Sequence, residues 1–282
     1  RLPYQSDPVV REQINRGEVD YLDIHLSHVA QHAWFGYFGK IDVAVVEVTA
    51  VLEDGRLVPS SSVGNNKTWL EQADRVILEV NRWQPAALEG MHDIYQGTAL
   101  PPDRKPIPLL RPDDRIGEPY LRVDPAKVVA VVETEAPDRN SPFAPPDADS
   151  RAIAGHLLEF LDHEVRRGRL TPQLLPLQSG VGNIANAVLA GLAEGGYRGL
   201  TAFTEVIQDG MLALLREGVL RMASATSFSL SPEGIAEFNR RVDFYRERIV
   251  LRPQEMSNHP ELIRRLGCIA MNGMIEADLY GH

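Results

Sequence analysis

The chain has 282 residues, of which 44% are hydrophobic and 24% charged; its net charge is −10 and it has a single cysteine, Cys268. That length favours two domains and allows a substantial core, and the interspersed acidic charge argues against a nucleic-acid footprint or a polybasic membrane patch. No apolar run approaches the ~20 residues of a bilayer span, and one cysteine excludes an internal disulfide framework and fits a reducing compartment.

In chain order, 3.6-residue periodicity and start signals predict helices at 8–16, 28–34, 152–167, 184–192, 211–216, 232–239 and 260–265. Apolar, β-branched runs predict strands at 43–51, 75–80, 128–133, 201–206 and 248–251. Their alternation is the pattern of an α/β fold. Residues 97–119 are Pro-rich and read as irregular loop, and 136–150 are rich in Pro, Asp and Ser without periodicity. The expected organisation is a domain at 1–140, a linker at 141–150 and a second domain at 151–282.

The most informative stretch is Gln178-Ser179-Gly180-Val181-Gly182-Asn183-Ile184, followed by a helical pattern and then by Glu205 at the end of an apolar run. Backbone N–H groups of a glycine loop at a helix start can hold an anion or a developing oxyanion. A carboxylate beside them can act as nucleophile, base or hydroxyl acceptor. A similar loop, Ser61-Ser62-Val63-Gly64-Asn65, also precedes a helical pattern and a strand with a glutamate, Glu79. Residues 44–55 and 270–281 form a second parallel, each ending in a glycine turn. These repeats argue for an internal duplication. Because the second unit stops at its turn and the chain starts at Arg1, a fragment cut at both ends is expected.

Bland alternatives stand beside each candidate. Gly180, Gly182 and Ala185 also satisfy G-x-G-x-x-A, and Glu205 lies 20 residues past Ala185, where a dinucleotide fold places its ribose-binding acid. Against that reading, Pro176 makes 174–178 a poor buried parallel strand, and Asn183 and Asn186 add polar groups a phosphate turn does not need. Glu205 by itself could be a solvated carboxylate at a strand end. Asn258 could cap the following helix, and Arg139 could form a surface salt bridge rather than a fork for a carboxylate. His28 and His32, at i, i+4, lack a third metal ligand and read as ordinary histidines. Cys268 reads as a buried, inert thiol in an apolar strand.

The segments PLQSGVGNIANAVLAGL, TEVIQDGML, SATSFSLSPE and RRLGCIAMNGMIEADLYG, with HLSHVAQ, GKIDVAVVEVTA, PSSSVGN, LEVN and DRNSPFAPPD upstream, resemble the acetyl-CoA hydrolase/transferase family, in particular succinyl-CoA:acetate CoA-transferases. The resemblance implies two similar open α/β domains of the CoA-transferase type, truncated at both ends here. It implies that Glu205 is the catalytic glutamate and that Gly180, Val181, Gly182, Asn183 and Ile184 contact CoA, with the Val181 N–H as an oxyanion donor. It places Asn258 near the glutamate and CoA, Arg139 against the substrate carboxylate, and Ile275 at a further CoA contact. The implied activity is CoA transfer between an acyl-CoA and a small carboxylate through a glutamyl-CoA thioester, with acetyl-CoA hydrolysis as its close variant. A nicotinamide-dependent oxidoreductase and a non-catalytic CoA-binding fragment are the alternatives from other classes. No permanently bound cofactor or metal is expected; CoA is substrate and covalent intermediate. The expected partners are acyl-CoA and small acids, with no nucleic acid and no membrane. The expected assembly is a homodimer in the cytoplasm, with a lost mitochondrial targeting sequence left open. The family's second oxyanion donor lies beyond His282, so the fragment is expected to be catalytically weak.

Overall fold

The computed structural model describes residues 7–140, 146–274 and 276–281. Two parallel-stranded sheets follow one another along the chain. In the first half, α1 (Pro8–Asn15) starts at Asp7, whose carboxylate accepts from the Val10 N–H at 2.8 Å, with proline at the first helical position. Then come α2 (Val29–Trp34), β1 (Ile41–Val51), β2 (Leu57–Pro59), α3 (Asn66–Gln72), β3 (Ala73–Asn81) and β4 (Val128–Thr134). The strand order is β2-β1-β3-β4, with β2 antiparallel at one edge and the rest parallel. Ala44, Val46 and Val48 of β1 are buried while Val43 and Val45 are exposed, the period-2 pattern of a sheet with one face on the core.

The second half begins with α4 (Ala148–Arg166), started by Asp147, whose side chain accepts from the Ser150 N–H. The expected linker therefore ends earlier than 150; its first half, 141–145, lies outside the described residues. There follow β5 (Leu177–Ser179), α5 (Asn183–Glu194), β6 (Leu200–Phe203), β7 (Val206–Ile207), α6 (Asp209–Arg216), β8 (Leu220–Ala225), β9 (Ser227–Phe228), α7 (Pro232–Arg240), α8 (Val242–Arg246), β10 (Ile249–Leu251), α9 (Gln254–Ser257), α10 (Pro260–Leu266) and β11 (Ile269–Met271). The sheet β10-β8-β6-β5-β11 is parallel throughout, and β7 and β9 form a small parallel pair beside it.

Three expectations change. Residues 174–178 were expected to make a poor strand, yet β5 forms. Pro176 lies just outside it and contributes only its carbonyl, which accepts from the Ile269 N–H at 2.9 Å, so its missing donor costs nothing. The strand expected at 201–206 divides after Phe203. At the division the Thr204 hydroxyl takes over from the ladder, donating to the Ser179 carbonyl at 3.1 Å and accepting from the Ser179 N–H at 3.3 Å. Cys268 precedes β11 rather than lying in it and is half-buried; burial lifts its thiol to about 11, so it stays protonated at neutral pH.

The proposed duplication is only partly mirrored. Both glycine loops lead from a strand into a helix, but β2 is an antiparallel edge strand whereas β5 lies between two parallel neighbours.

The two halves are locked together. One hydrophobic cluster includes Val46, Val48 and Leu78 from the first sheet and Leu200, Ala202 and Ala223 from the second. The irregular stretch 97–119 sends Ile107 and Leu109 under Phe203, Met256 and Leu262. The Arg252 guanidinium, fully buried, pairs with the buried Asp93 carboxylate and also donates to Ser224 Oγ and the Pro112 and Asp114 carbonyls. Lys67, also buried, pairs with Glu255 at 3.4 Å. Breaking either pair would leave a buried charge uncompensated. Among the described residues no helix is long and apolar enough to cross a membrane, and no group of three or more His, Cys, Asp and Glu is placed to hold a metal ion.

Candidate active site

Glu205 sits in the break between β6 and β7, at the carboxyl end of a parallel strand, where open α/β sheets place their ligands. It is half-buried. Its backbone carbonyl accepts from the Thr226 N–H at 2.9 Å, and each side-chain oxygen accepts one carboxamide N–H. Gln254 Nε2 donates to Oε1 at 3.1 Å, and Asn258 Nδ2 donates to Oε2 at 3.2 Å. Among the described residues no lysine or arginine pairs with this carboxylate. Neutral donors orient it without drawing its charge into a salt bridge.

Asn258 thus meets Glu205 as the family resemblance implies. The helix-capping alternative falls away, because His259 occupies the N-cap of α10 and Asn258 is the C-cap of α9. Ser257 Oγ donates to Asn258 Oδ1 at 2.6 Å, which fixes the amide with its NH₂ toward the glutamate. Gln254 went unnoticed in the sequence, although a signal existed: it precedes Asn258 by four residues, a spacing that places both on one helical face. The intervening and following residues, Glu255 and His259, border a separate cleft of about 640 Å³ with Trp34 and Arg104. Burial pushes the Glu255 carboxyl up and the Lys67 ammonium opposes that shift.

The glycine loop meets the glutamate through its chain neighbour. Thr204 and Ser179 exchange the two hydrogen bonds given above, Gly180 N–H donates to the Met271 carbonyl at 2.8 Å, and Gln208 Nε2 donates to the Gly180 carbonyl at 3.0 Å. Space at Gly180 is tight, since a Cβ there would lie 2.9 Å from Asn272 Oδ1 and 3.3 Å from the Met271 carbonyl. Gly182 is needed for conformation, with φ 131° and ψ −176° at the N-cap of α5, a region essentially restricted to glycine. Between them Val181 is exposed, and its N–H has no hydrogen-bond partner among the described residues. Asn183 and Ile184 form the first turn of α5, half-buried, so their N–H groups belong to the open end of a helix. The arrangement brings together a carboxylate and a backbone N–H that has no partner among the described residues.

Arg139 is exposed, with no ion pair or hydrogen bond among the described residues, so the surface salt-bridge alternative is not what the structure shows. Its neighbours are tied down: Asp138 accepts from Ser61 Oγ at 2.8 Å and Gln84 Nε2 at 3.0 Å, and Asn140 Nδ2 donates to the Leu230 carbonyl at 3.1 Å. The backbone is held while the guanidinium stays uncommitted. Ile275 lies outside the described residues. His28 and His32 stack with ring centroids 6.2 Å apart. The segment β5-loop-α5-β6 is a true parallel βαβ unit, so the objection to a dinucleotide site raised from Pro176 does not stand on geometry.

Relatives decide between these readings. The profile of the acetyl-CoA hydrolase/transferase N-terminal domain matches residues 1–133. A succinyl-CoA:acetate CoA-transferase of Clostridium kluyveri is 46% identical over 282 residues, covering 100% of this chain and 52% of the relative. An acetyl-CoA hydrolase of Schizosaccharomyces pombe is 48% identical over 288 residues, covering 100% of this chain and 55% of the relative. The chain therefore spans about half the length of the curated relatives it matches. RipA from Yersinia pestis superposes with a TM-score of 0.65 at 21% identity over 97% of this chain and 55% of that one. A 4-hydroxybutyrate CoA-transferase from Porphyromonas gingivalis gives 0.60 at 21% identity over 95% and 59%; at that identity both likenesses speak for the fold alone. Residues 1–133 match the N-terminal domain of the acetyl-CoA hydrolase/transferase family, and the whole chain is similar to about half of a transferase and of a hydrolase from that family.

Proposed function

We propose that this chain carries the catalytic half-site of an acyl-CoA:carboxylate CoA-transferase, with Glu205 as the covalent nucleophile. The observation that carries this reading is the Glu205 carboxylate at the end of β6, held by Gln254 and Asn258 beside a glycine loop whose Val181 N–H has no partner among the described residues. One Glu205 oxygen attacks the thioester carbonyl; the C–S bond breaks, and an acyl-glutamyl anhydride and CoA thiolate result. The thiolate attacks the glutamyl carbonyl and releases the first carboxylate, leaving a glutamyl-CoA thioester. An incoming carboxylate runs the sequence in reverse. Each addition builds charge on a carbonyl oxygen, which the Val181 N–H and the Asn258 amide are suited to stabilise. Arg139, uncommitted beside a fixed backbone, is the group suited to the carboxylate substrate.

Hydrolysis of acetyl-CoA shares the first step and differs in the acceptor, water in place of an acid; the hydrolase relative favours keeping it as the second reading. Intact-protein mass spectrometry after incubation of the full-length protein with acetyl-CoA tests the proposal. A CoA adduct on the peptide containing Glu205 is expected, and Glu205→Ala should lose both the adduct and at least ~10³-fold in transfer. A well-folded Glu205→Ala protein with near-normal turnover overturns it. Partition of CoA between a new acyl-CoA made from the acceptor acid and free CoA released by water separates transferase from hydrolase.

A further inference from the structure

Gln254 does more than touch the glutamate: both its ends are gripped by the first glycine loop. Its backbone N–H donates to the Gly64 carbonyl at 2.8 Å, and its side-chain Oε1 accepts from Asn65 Nδ2, also at 2.8 Å. Asn65 is the N-cap of α3, yet its side chain makes no capping bond and is spent on Gln254 instead. The bond fixes the Gln254 amide flip, because Oε1 must accept from Asn65 while Nε2 donates to Glu205. The loop is itself anchored to the residue that holds the Glu205 backbone: the Val63 N–H donates to the Thr226 carbonyl at 2.9 Å, and the Gly64 N–H to Thr226 Oγ1 at 3.1 Å. The hydrogen bonds close a ring from the Glu205 carbonyl through Thr226, residues 63–65 and Gln254 back to the Glu205 carboxylate. Arg252, two residues before Gln254, and Glu255, the residue after it, are held in buried ion pairs with Asp93 and Lys67.

We infer that Gln254, aimed by Asn65 from the other half of the molecule, is a positioning residue that sets which face of the Glu205 carboxylate meets the thioester. This rests on Glu205 being the nucleophile. A carboxylate on three rotatable bonds attacks slowly unless it is oriented, and Gln254 supplies orientation with a neutral donor, so nucleophilicity is kept. Because the aiming residue belongs to the first half and the nucleophile to the second, the geometry of attack depends on how the halves are docked.

The test uses the full-length protein, four single variants and one double variant. Gln254→Leu should slow single-turnover formation of the Glu205 adduct by about 10- to 100-fold, the size of a lost hydrogen bond to a charged group, with KM for the carboxylate substrate little changed. Asn65→Ala should slow it less, and combined with Gln254→Leu should add nothing, because both act through one amide. Gln254→Glu keeps the volume and places a second carboxylate against Glu205; the acidic limb of the pH–rate profile should move up by about one unit or more, a shift that a merely structural role would not produce. Glu205→Ala separates the two claims: an adduct that survives it overturns the nucleophile, whereas an adduct lost there but formed at the wild-type rate in Gln254→Leu overturns this inference alone. Additive effects of Asn65 and Gln254, or an unshifted pH profile in Gln254→Glu, also overturn it. Should Gln254→Leu fail to fold, the Gln254→Glu profile and Asn65→Ala decide.

Discussion

Two glycine loops of nearly the same sequence have opposite fates. In Ser62-Val63-Gly64-Asn65 the valine is fully buried and its N–H is bonded to Thr226. In Gly180-Val181-Gly182-Asn183 the valine is 46% exposed and its N–H is unbonded among the described residues. The first loop spends its donors on the protein and acts as a brace; the second leaves the Val181 N–H unbonded among the described residues, as the proposed binding loop requires. Gly64 and Gly182 both have positive φ, 49° and 131°, so glycine alone does not distinguish a brace from a binding loop. What distinguishes them is whether a strand-end residue from the other half, here Thr226, fills the donors first.

The sharpest way to break this contrast is to remove the free N–H while leaving the side chain. An amide-to-ester exchange at Val181 should cost CoA transfer about 10²- to 10³-fold, the range for one oxyanion donor, while leaving the unfolding midpoint almost unmoved. Steady-state transfer and urea titration on the same semisynthetic protein check it, and unaltered transfer would make Val181 an ordinary surface residue. Side-chain truncation should give the opposite ranking. Val63→Ala leaves a cavity in the core and should cost about 2 kcal/mol, whereas Val181→Ala keeps its N–H and should stay within about 0.5 kcal/mol. Equal losses in urea unfolding would mean that the two loops are not the brace and the binding loop described here.

Much of this contrast is legible locally and some is not. The period-2 burial of β1 and the start of α1 at Asp7-Pro8 follow from side-chain alternation and capping, which neighbouring residues decide. The end of β6 does not follow, because it depends on the Thr204 hydroxyl finding Ser179, 25 residues away. The pairing of Gln254 with Glu205 spans 49 residues and that of Asn65 with Gln254 spans 189. No periodicity encodes such distances. Glu205, Val181 and Asn258 were reachable because each lies in a motif with a resemblance to carry it, whereas Gln254 and Asn65 have meaning only once the halves are docked.

The brace also carries a pH dependence. His92 is fully buried and its Nε2–H donates to the carbonyl of Ser60, the residue before the first loop, at 3.0 Å. Burial holds its imidazole down at about 4 against an ordinary 6.5, because protonation would bring a charge into a site without water. The folded-state value lies below the unfolded one, so the full stability is present above pH 6.5 and is lost as pH falls toward 4. Between pH 6.5 and 5 the loss should be about 2 kcal/mol. His92→Gln, which keeps a donor without titrating, should flatten that slope in urea unfolding across the same range. An unchanged slope would assign the acid sensitivity elsewhere.

The smallest expected effect belongs to Arg139, whose segment is stitched to the brace through the Asp138–Ser61 bond. The guanidinium is exposed and holds nothing among the described residues, so Arg139→Ala should leave the unfolding midpoint unchanged within about 0.5 kcal/mol. If Arg139 meets the substrate carboxylate, the same variant should raise KM for the free acid roughly tenfold, the lower end for a hydrogen bond to a charged group. KM for the acyl-CoA should move much less, since a uniform binding contact to one substrate changes that substrate's KM with little change in kcat. Arg139→Lys should recover only part of the loss, because an ammonium cannot reproduce the two parallel bonds of a guanidinium fork. Equal weakening of both substrates, or of neither, would remove Arg139 from the site and leave the brace with no role in choosing the acid.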